Sequence, residues 1–531
     1  MASQVAPSSV TIVADDEATT STRDGRAPEV VVTPLDAASN AASGEGLSGK
    51  IYAGVSWTLL SSFTNQVLNF VRTFMLVRLL TPDNFGVAGM AATVLGAVCV
   101  LTNVGMSQSI ITAKFNSPEE QRRYVDTIWT LELARGFCIG LLMSLAALPT
   151  ARFYHDPRLF PVVLVIAWIP FAGSLRNVGL GLTARDMQFA RVTLVNLAET
   201  IVGVASAIVL AWWLRSYWAL VLAQSGAGLF GLIMSYIAHP YRSRLSFDRQ
   251  VIRQGFNFGK HVFLITLSGF IVTTLDNIVV GRVLGAAILG FYIVAFMASS
   301  LLSNVVNQVM GAVFFPTFAR IGRDDMGKLG PAATRAFTVG TALLTVAASP
   351  IIALAPDILA AFKPQYMAAS QPMRVLAVAG FLRALVGLLS SILMGMNRPG
   401  IESRCKIIEA VVFAVAIYPL VHFFGMMGGA ATGVLTFVVA LFLRFWLAQQ
   451  AFAGALKGLP ALIGVSALAI AGGCLASYQL LALAGLHSVW LRLALGTPIC
   501  MSLSALIFVI LRPQMLRETK GMVTMLRQRL A

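Results

Sequence analysis

Apolar runs near the ~20 residues that a helix needs to cross a bilayer follow one another from about residue 54 to about residue 511. That succession leaves one broad solution, a bundle of membrane-crossing helices. Hydropathy and length put fourteen spans at roughly 54–77, 85–106, 127–149, 161–182, 193–213, 217–238, 256–281, 288–312, 332–354, 372–396, 404–423, 425–449, 460–482 and 488–511. Composition agrees: 57% hydrophobic residues, 12% charged and mean hydropathy +0.78 give too much apolar surface for a water-facing globule. The expected fold is an all-α polytopic membrane protein with about fourteen transmembrane helices.

A repeated pattern divides the bundle. Residues 72–86, RTFMLVRLLTPDNFG, and 276–290, DNIVVGRVLGAAILG, share R-x-L-x5-G at an offset of 204 residues. Arg78, Leu80 and Gly86 fall on Arg282, Leu284 and Gly290. Each copy lies where one span ends and the next begins, so each reads as the bend of a membrane hairpin that occurs once per half. The glycines suit a tight bend or a close helix approach. The arginines are candidate phosphate contacts or anchors of their own turns. Ahead of the motif the halves differ in charge, because Arg72 aligns with Asp276.

The organisation follows from that duplication. Residues 1–50, with seven acids, three basic residues and no hydrophobic periodicity, read as a disordered cytoplasmic tail. No basic start precedes an apolar core, so no cleaved signal is expected and the first span would direct insertion. Residues 51–238 form a first six-helix lobe and 256–449 a second, joined by a basic cytoplasmic linker at 239–255. Residues 450–511 add a helix pair outside the duplication, and 512–531 read as a basic amphipathic cytoplasmic tail on an anionic lipid surface. Connections on the side of the N-terminus carry 26 Lys/Arg and the opposite ones eight, counting span edges with their connections. That bias puts both termini inside. Each six-span repeat starts and ends on one side, so the halves should be parallel repeats about an axis along the membrane normal. Without the tail, 36 Lys+Arg against 16 Asp+Glu leave +20, which suits anionic lipids or anionic cargo.

Two segments carry a family resemblance. Residues 274–325, TLDNIVVGRVLGAAILGFYIVAFMASSLLSNVVNQVMGAVFFPTFARIGRDD, and residues 70–90, FVRTFMLVRLLTPDNFGVAGM, resemble the starts of the two halves in Wzx-type polysaccharide exporters and oligosaccharide flippases. These belong to the superfamily that includes multidrug extrusion proteins and lipid II flippases, and the similarity of pattern runs over about 50–450. The long N-terminal tail departs from it. The resemblance implies two lobes rocking about a central cavity. It also implies a polyprenyl-diphosphate-linked oligosaccharide as cargo, and a bacterial inner membrane location in exopolysaccharide, capsule or O-antigen biosynthesis. A polymerase and a chain-length regulator are the protein partners it suggests.

Charges within spans are the candidate site, since intramembrane ionisable residues are functional by default. They are Arg72, Glu132, Arg135, Arg176, Glu199, Asp276, Arg383, Glu409 and Arg444. Arg72, Arg176 and Arg383 are the expected cargo-binding cations; Asp276 and Glu199 are the expected ion-coupling acids. A pseudo-twofold axis would bring Arg72 and Asp276 to opposite walls of one cavity. Each of the five also has a structural reading, as a locally satisfied or snorkelling group. Glu132 and Arg135, three residues apart, read as a self-neutralising pair. Glu409 reads as paired with Arg404 or Lys406, Arg444 as packing or snorkelling. Asn65, Gln66 and Asn69 on span one, and Asn304, Asn307 and Gln308 on span eight, suit a sugar-contacting wall or interhelical hydrogen bonds.

Other chemistry is not signalled. The five cysteines and five histidines are scattered, and no zinc-protease or phosphate-loop motif occurs. No cofactor and no nucleic-acid partner are expected. Three classes compete: a lipid-linked oligosaccharide flippase, an ion-coupled multidrug exporter of the same fold, and a membrane polymerase or glycosyltransferase. The cationic spans favour anionic cargo over cationic drugs. The short connections opposite the termini, about 17 residues at most, hold no carboxylate or histidine cluster for an enzyme.

Overall fold

The computed structural model describes residues 61–102, 117–185, 189–300, 318, 326–395, 399–451, 458–485 and 488–513. Of two compact units, Met1–Ile51 and Tyr52–Ala531, all described residues belong to the second. The expected N-terminal tail, the amphipathic segment beyond residue 513, and Asn304, Asn307 and Gln308 lie outside the described residues.

Among the described residues the elements are helical and none is a strand. The first half holds α1 (61–79), α2 (Pro82–Leu101), α3 (Pro118–Tyr154), α4 (Leu159–Ile166), α5 (Ile169–Ser174), α6 (Gly179–Arg185), α7 (Phe189–Leu214) and α8 (Trp218–Ala238). The second holds α9 (Arg249–Leu284), α10 (Ala286–Ser300), α11 (Met326–Ala353), α12 (Ala355–Phe362), α13 (Ser370–Gly395), α14 (Pro399–Phe424) and α15 (Met426–Ala451), followed by α16 (Leu459–Leu483) and α17 (Val489–Leu511). Eleven described helices are long and apolar enough to cross a membrane, against fourteen expected spans. Two of the other three, α1 and α10, stop at the edge of the described residues. The third, expected over 161–182, is broken into α4, α5 and α6. Pro170 brings no N–H and a ring that clashes with the preceding turn, so the helix ends at Ile166 and restarts.

Local chemistry sets the other boundaries. Ser117 caps α3 by accepting the Glu120 N–H at 3.1 Å, with Pro118 in the first turn and Glu119 and Glu120 at the positive end of the helix dipole. At 37 residues α3 is about 55 Å long, well beyond a hydrocarbon core of ~30 Å. Its first turns therefore stand outside the hydrocarbon. The non-helical stretch 239–248 lies along them. Asp126 accepts the Tyr241 hydroxyl at 2.8 Å and the Arg244 N–H at 3.2 Å, and Thr130 Oγ1 accepts the Ser246 N–H at 3.0 Å.

The largest buried cluster joins the halves at the end of the bundle where the two hairpins turn. Leu76, Val77, Leu80, Phe85 and Met90 pack there with Val280, Leu289, Tyr292 and Leu359. A second cluster ties α16 and α17 to the second half through Leu459, Leu462, Ala469 and Phe508. Outward-facing Trp212, Trp213, Val415, Phe423 and Leu483 are exposed, as side chains that a bilayer covers must be.

Candidate functional site

The break in the fourth span creates the site. After α5 the chain turns at Arg176 and Asn177 before α6 resumes. Asn177 fixes that turn: its N–H donates to Ser235 Oγ at 3.0 Å, its amide nitrogen to the carbonyls of His239 and Tyr241 at 2.8 Å each, and its side-chain oxygen accepts the Gly179 N–H at 2.9 Å. Arg176 is thereby aimed between α7 and α8, where its Nη2 donates to Glu199 Oε1 at 2.5 Å. Gly231 on α8 leaves the room, since a Cβ there would sit 2.6 Å from both Arg176 Nη2 and Glu199 Oε2.

This ion pair lines a cavity of about 550 Å³ in the first half, together with Arg72 and Asn69 from α1, Asn196 and Thr200 from α7, and Gln224 from α8. Arg72 has no ion-pair or hydrogen-bond partner among the described residues. Among the described residues the charged lining is two guanidiniums and one carboxylate, so the wall is polar with one uncompensated positive charge. Three of the five residues expected from sequence therefore share one cavity: Arg72, Arg176 and Glu199. The sequence did not reveal the Arg176–Glu199 pair, because its members are 23 residues apart and only the helix break brings them together.

Asp276 and Arg383 lie elsewhere. They line a space of about 40 Å³ in the second half with Thr273, Tyr292, Ser299 and Ser300. Asp276 is buried and accepts the Tyr292 hydroxyl at 2.9 Å. A space of this size suits a water or a small ion, not a sugar. Arg72 and Asp276 thus line separate cavities, one per half, in place of the shared cavity expected from their alignment.

The remaining span charges form local networks. Glu132 and Arg135 pair at 2.7 Å, as their spacing predicts. Arg444, expected to pack or snorkel, is fully buried. Its Nη2 donates to Glu402 Oε1 at 2.7 Å, its Nε to Glu402 Oε2 at 3.1 Å and to Ser390 Oγ at 3.0 Å, and its Nη1 to Glu409. Lys406 also reaches Glu409, at 3.4 Å. The network clamps α13, α14 and α15. Glu402 escapes a search for charges within spans because it lies just before the apolar run; its seven-residue spacing from Glu409, two turns along one face, was the available signal.

The duplicated motif joins the halves reciprocally. The first bend is Thr81–Pro82, with Thr81 extended; the second is Gly285, at φ +84. Gly86 and Gly290 are not the bends. A Cβ on Gly86 would overlap the carbonyl oxygen of Ala286, and one on Gly290 would overlap that of Pro82. At the 204-residue offset Pro82 aligns with Ala286 and Gly86 with Gly290, so the contact repeats itself with the halves exchanged. The arginines cross over too: Arg78 donates to the Ala361 carbonyl at 2.9 Å, and Arg282 Nη1 meets His155 Nδ1 at 3.0 Å. Arg78 also stacks on Phe74 and Trp490, with its guanidinium carbon 4.6 and 5.4 Å from the ring centres.

Comparison with known proteins places this arrangement. The family described as polysaccharide biosynthesis protein matches residues 75–362. The lipopolysaccharide biosynthesis protein WzxC of Escherichia coli (strain K12) is 22% identical over 400 residues, 74% of this chain and 79% of that protein. The succinoglycan biosynthesis transport protein ExoT of Rhizobium meliloti (strain 1021) is 23% identical over 68% of this chain and 73% of its own length. Among solved structures, the lipid II flippase MurJ in an inward closed conformation superposes with a TM-score of 0.68 at 10% identity, covering 86% of this chain and 99% of that one.

Proposed function

This chain belongs to the polysaccharide biosynthesis protein family, and we propose that it is a flippase that carries lipid-linked oligosaccharide units across the bacterial inner membrane by alternating access. The cargo headgroup, a sugar chain on a diphosphate, cannot enter hydrocarbon without shedding hydration worth many kcal/mol. A polar cavity inside a helical bundle replaces that hydration, while the polyprenyl tail stays in lipid. No bond is made or broken.

The observation that carries this reading is the first-half cavity: about 550 Å³, lined by side-chain amides and a hydroxyl, with Arg72 unpaired among the described residues. Amides suit sugar hydroxyls, and a guanidinium fork suits phosphate oxygens. Arg72 and Arg176 are assigned to the diphosphate there. Arg383 serves cargo from the second half, and Asp276, buried beside a space of ion size, serves coupling, as does Glu199. With both termini cytoplasmic, the hairpin end faces outward, and its reciprocal contacts close the exit. Anionic lipids surround the basic inner rim, and a polymerase with its chain-length regulator takes the delivered units.

The test is export in cells. Arg72→Ala and Asp276→Asn should each impair polymer output at unchanged membrane abundance, with lipid-linked repeat units accumulating on the inner leaflet. Normal output from both variants would remove the assignment.

A further inference from the structure

The Arg176–Glu199 pair is only half made. Among the described residues Glu199 takes a single hydrogen bond, from Nη2, although Nε and Nη2 form the edge on which a guanidinium grips two oxygens at once. Nε is buried and has no hydrogen-bond partner among the described residues. A donor left unsatisfied beside a bound carboxylate costs free energy for as long as it stays so. The pair is nonetheless given space: Gly231 clears both side chains at a position where any other residue would crowd them. The charged groups facing Glu199 across the cavity are Arg176, from the turn after α5, and Arg72, from α1; the other facing groups are Asn69, Asn196, Thr200 and Gln224.

We propose that Glu199 is a built-in stand-in for the cargo's phosphate. In the empty cavity it holds Arg176 through one hydrogen bond. An arriving diphosphate takes the whole Nε/Nη2 edge with two oxygens, displaces the carboxylate, and adds Arg72 as its second cation. The displaced Glu199 carboxylate, now facing phosphate with no cation of its own, takes up a proton. On release the proton leaves and the carboxylate closes on Arg176 again. The exchange satisfies the orphaned Nε, ties one proton to each anionic headgroup, and leaves the returning empty cavity with less unpaired charge. It rests on the reading of this cavity as the headgroup site and adds a role for Glu199 that a fixed structural ion pair would not have.

Binding to the purified full chain in lipid nanodiscs tests this, with inorganic pyrophosphate and farnesyl diphosphate as probes. The wild type should bind both more tightly as pH falls. Glu199→Gln removes the competing charge while keeping the shape, so it should bind about tenfold more tightly and lose that pH dependence. Arg72→Ala should weaken binding in either background. Unchanged or weaker binding by Glu199→Gln, with Arg72→Ala still damaging, overturns the exchange but leaves the cavity as the site. Should Arg72→Ala bind as well as wild type, the site reading itself fails, and the exchange with it. If Glu199→Gln does not fold, the wild type alone decides: binding that does not change with pH also overturns the proposal.

Discussion

At the scale of single residues, charges in this chain divide by whether the fold has already answered them. Arg444 is answered completely: two carboxylates and a hydroxyl surround a guanidinium with no exposure. Removing it leaves Glu402 and Glu409 buried with one lysine between them. We predict that Arg444→Ala costs roughly 3–5 kcal/mol, read as a lower melting temperature and poor yield. Adding Glu402→Gln and Glu409→Gln to Arg444→Met should recover most of the loss. Arg72 is the contrast, a cation unanswered by any described residue. Arg72→Ala should leave the melting temperature unchanged while cargo binding falls. Sequence singled out Arg72 because a lone arginine in an apolar span is conspicuous by itself. The partners of Arg176 and Arg444 could not be read that way, because they are set by helix breaks and crossings rather than by spacing along the chain.

At the scale of elements, the repeated motif was fully legible as a pattern but not as a contact. Its offset placed two hairpins at equivalent points, yet nothing in R-x-L-x5-G says that each glycine faces the other half's backbone. That follows from packing alone. Gly86→Ala and Gly290→Ala should each cost about 1–3 kcal/mol by forcing the hairpins apart, and the reciprocal geometry predicts the same phenotype from both. A cysteine pair at Pro82 and Ala286 would report the separation by cross-linking yield. Next to this contact, Arg158 and Asp156 lie outside the spans, in the connection between α3 and α4, where Arg158 holds Asp156 at 2.8 Å and reaches Asp83 in the first turn of α2 at 2.5 Å. Burial raises the Asp156 carboxyl, but the hydrogen bonds and charge of Arg158 outweigh it, and the net value lies below the ordinary one. A depressed acid stabilises the fold above its unfolded pKa and loses that contribution as pH falls through its folded pKa. Acid should therefore loosen this corner, seen as faster amide exchange around residues 155–159, and Asp156→Asn should abolish that pH response.

At the scale of the whole molecule, two parallel halves meet closely at one end, and each has its own interior space: large with a surplus cation in the first, ion-sized with the acid Asp276 set against Arg383 in the second. The alignment of Arg72 with Asp276 foretold this difference in charge, though not the separation into two cavities. In the proposed cycle, rocking about the hairpin end presents the first cavity to each side in turn, with Arg72 and Arg176 on the headgroup and Asp276 acting in coupling. Neutralising Asp276 should then slow transport without weakening headgroup binding, whereas neutralising Arg72 should weaken binding itself. The direct measurement is flipping by the purified chain in proteoliposomes, following a lipid-linked oligosaccharide loaded in one leaflet until it becomes accessible in the other. Wild type should equilibrate the two leaflets and Arg72→Ala should not; equal rates for the two would contradict the central claim that the first-half cavity carries the headgroup.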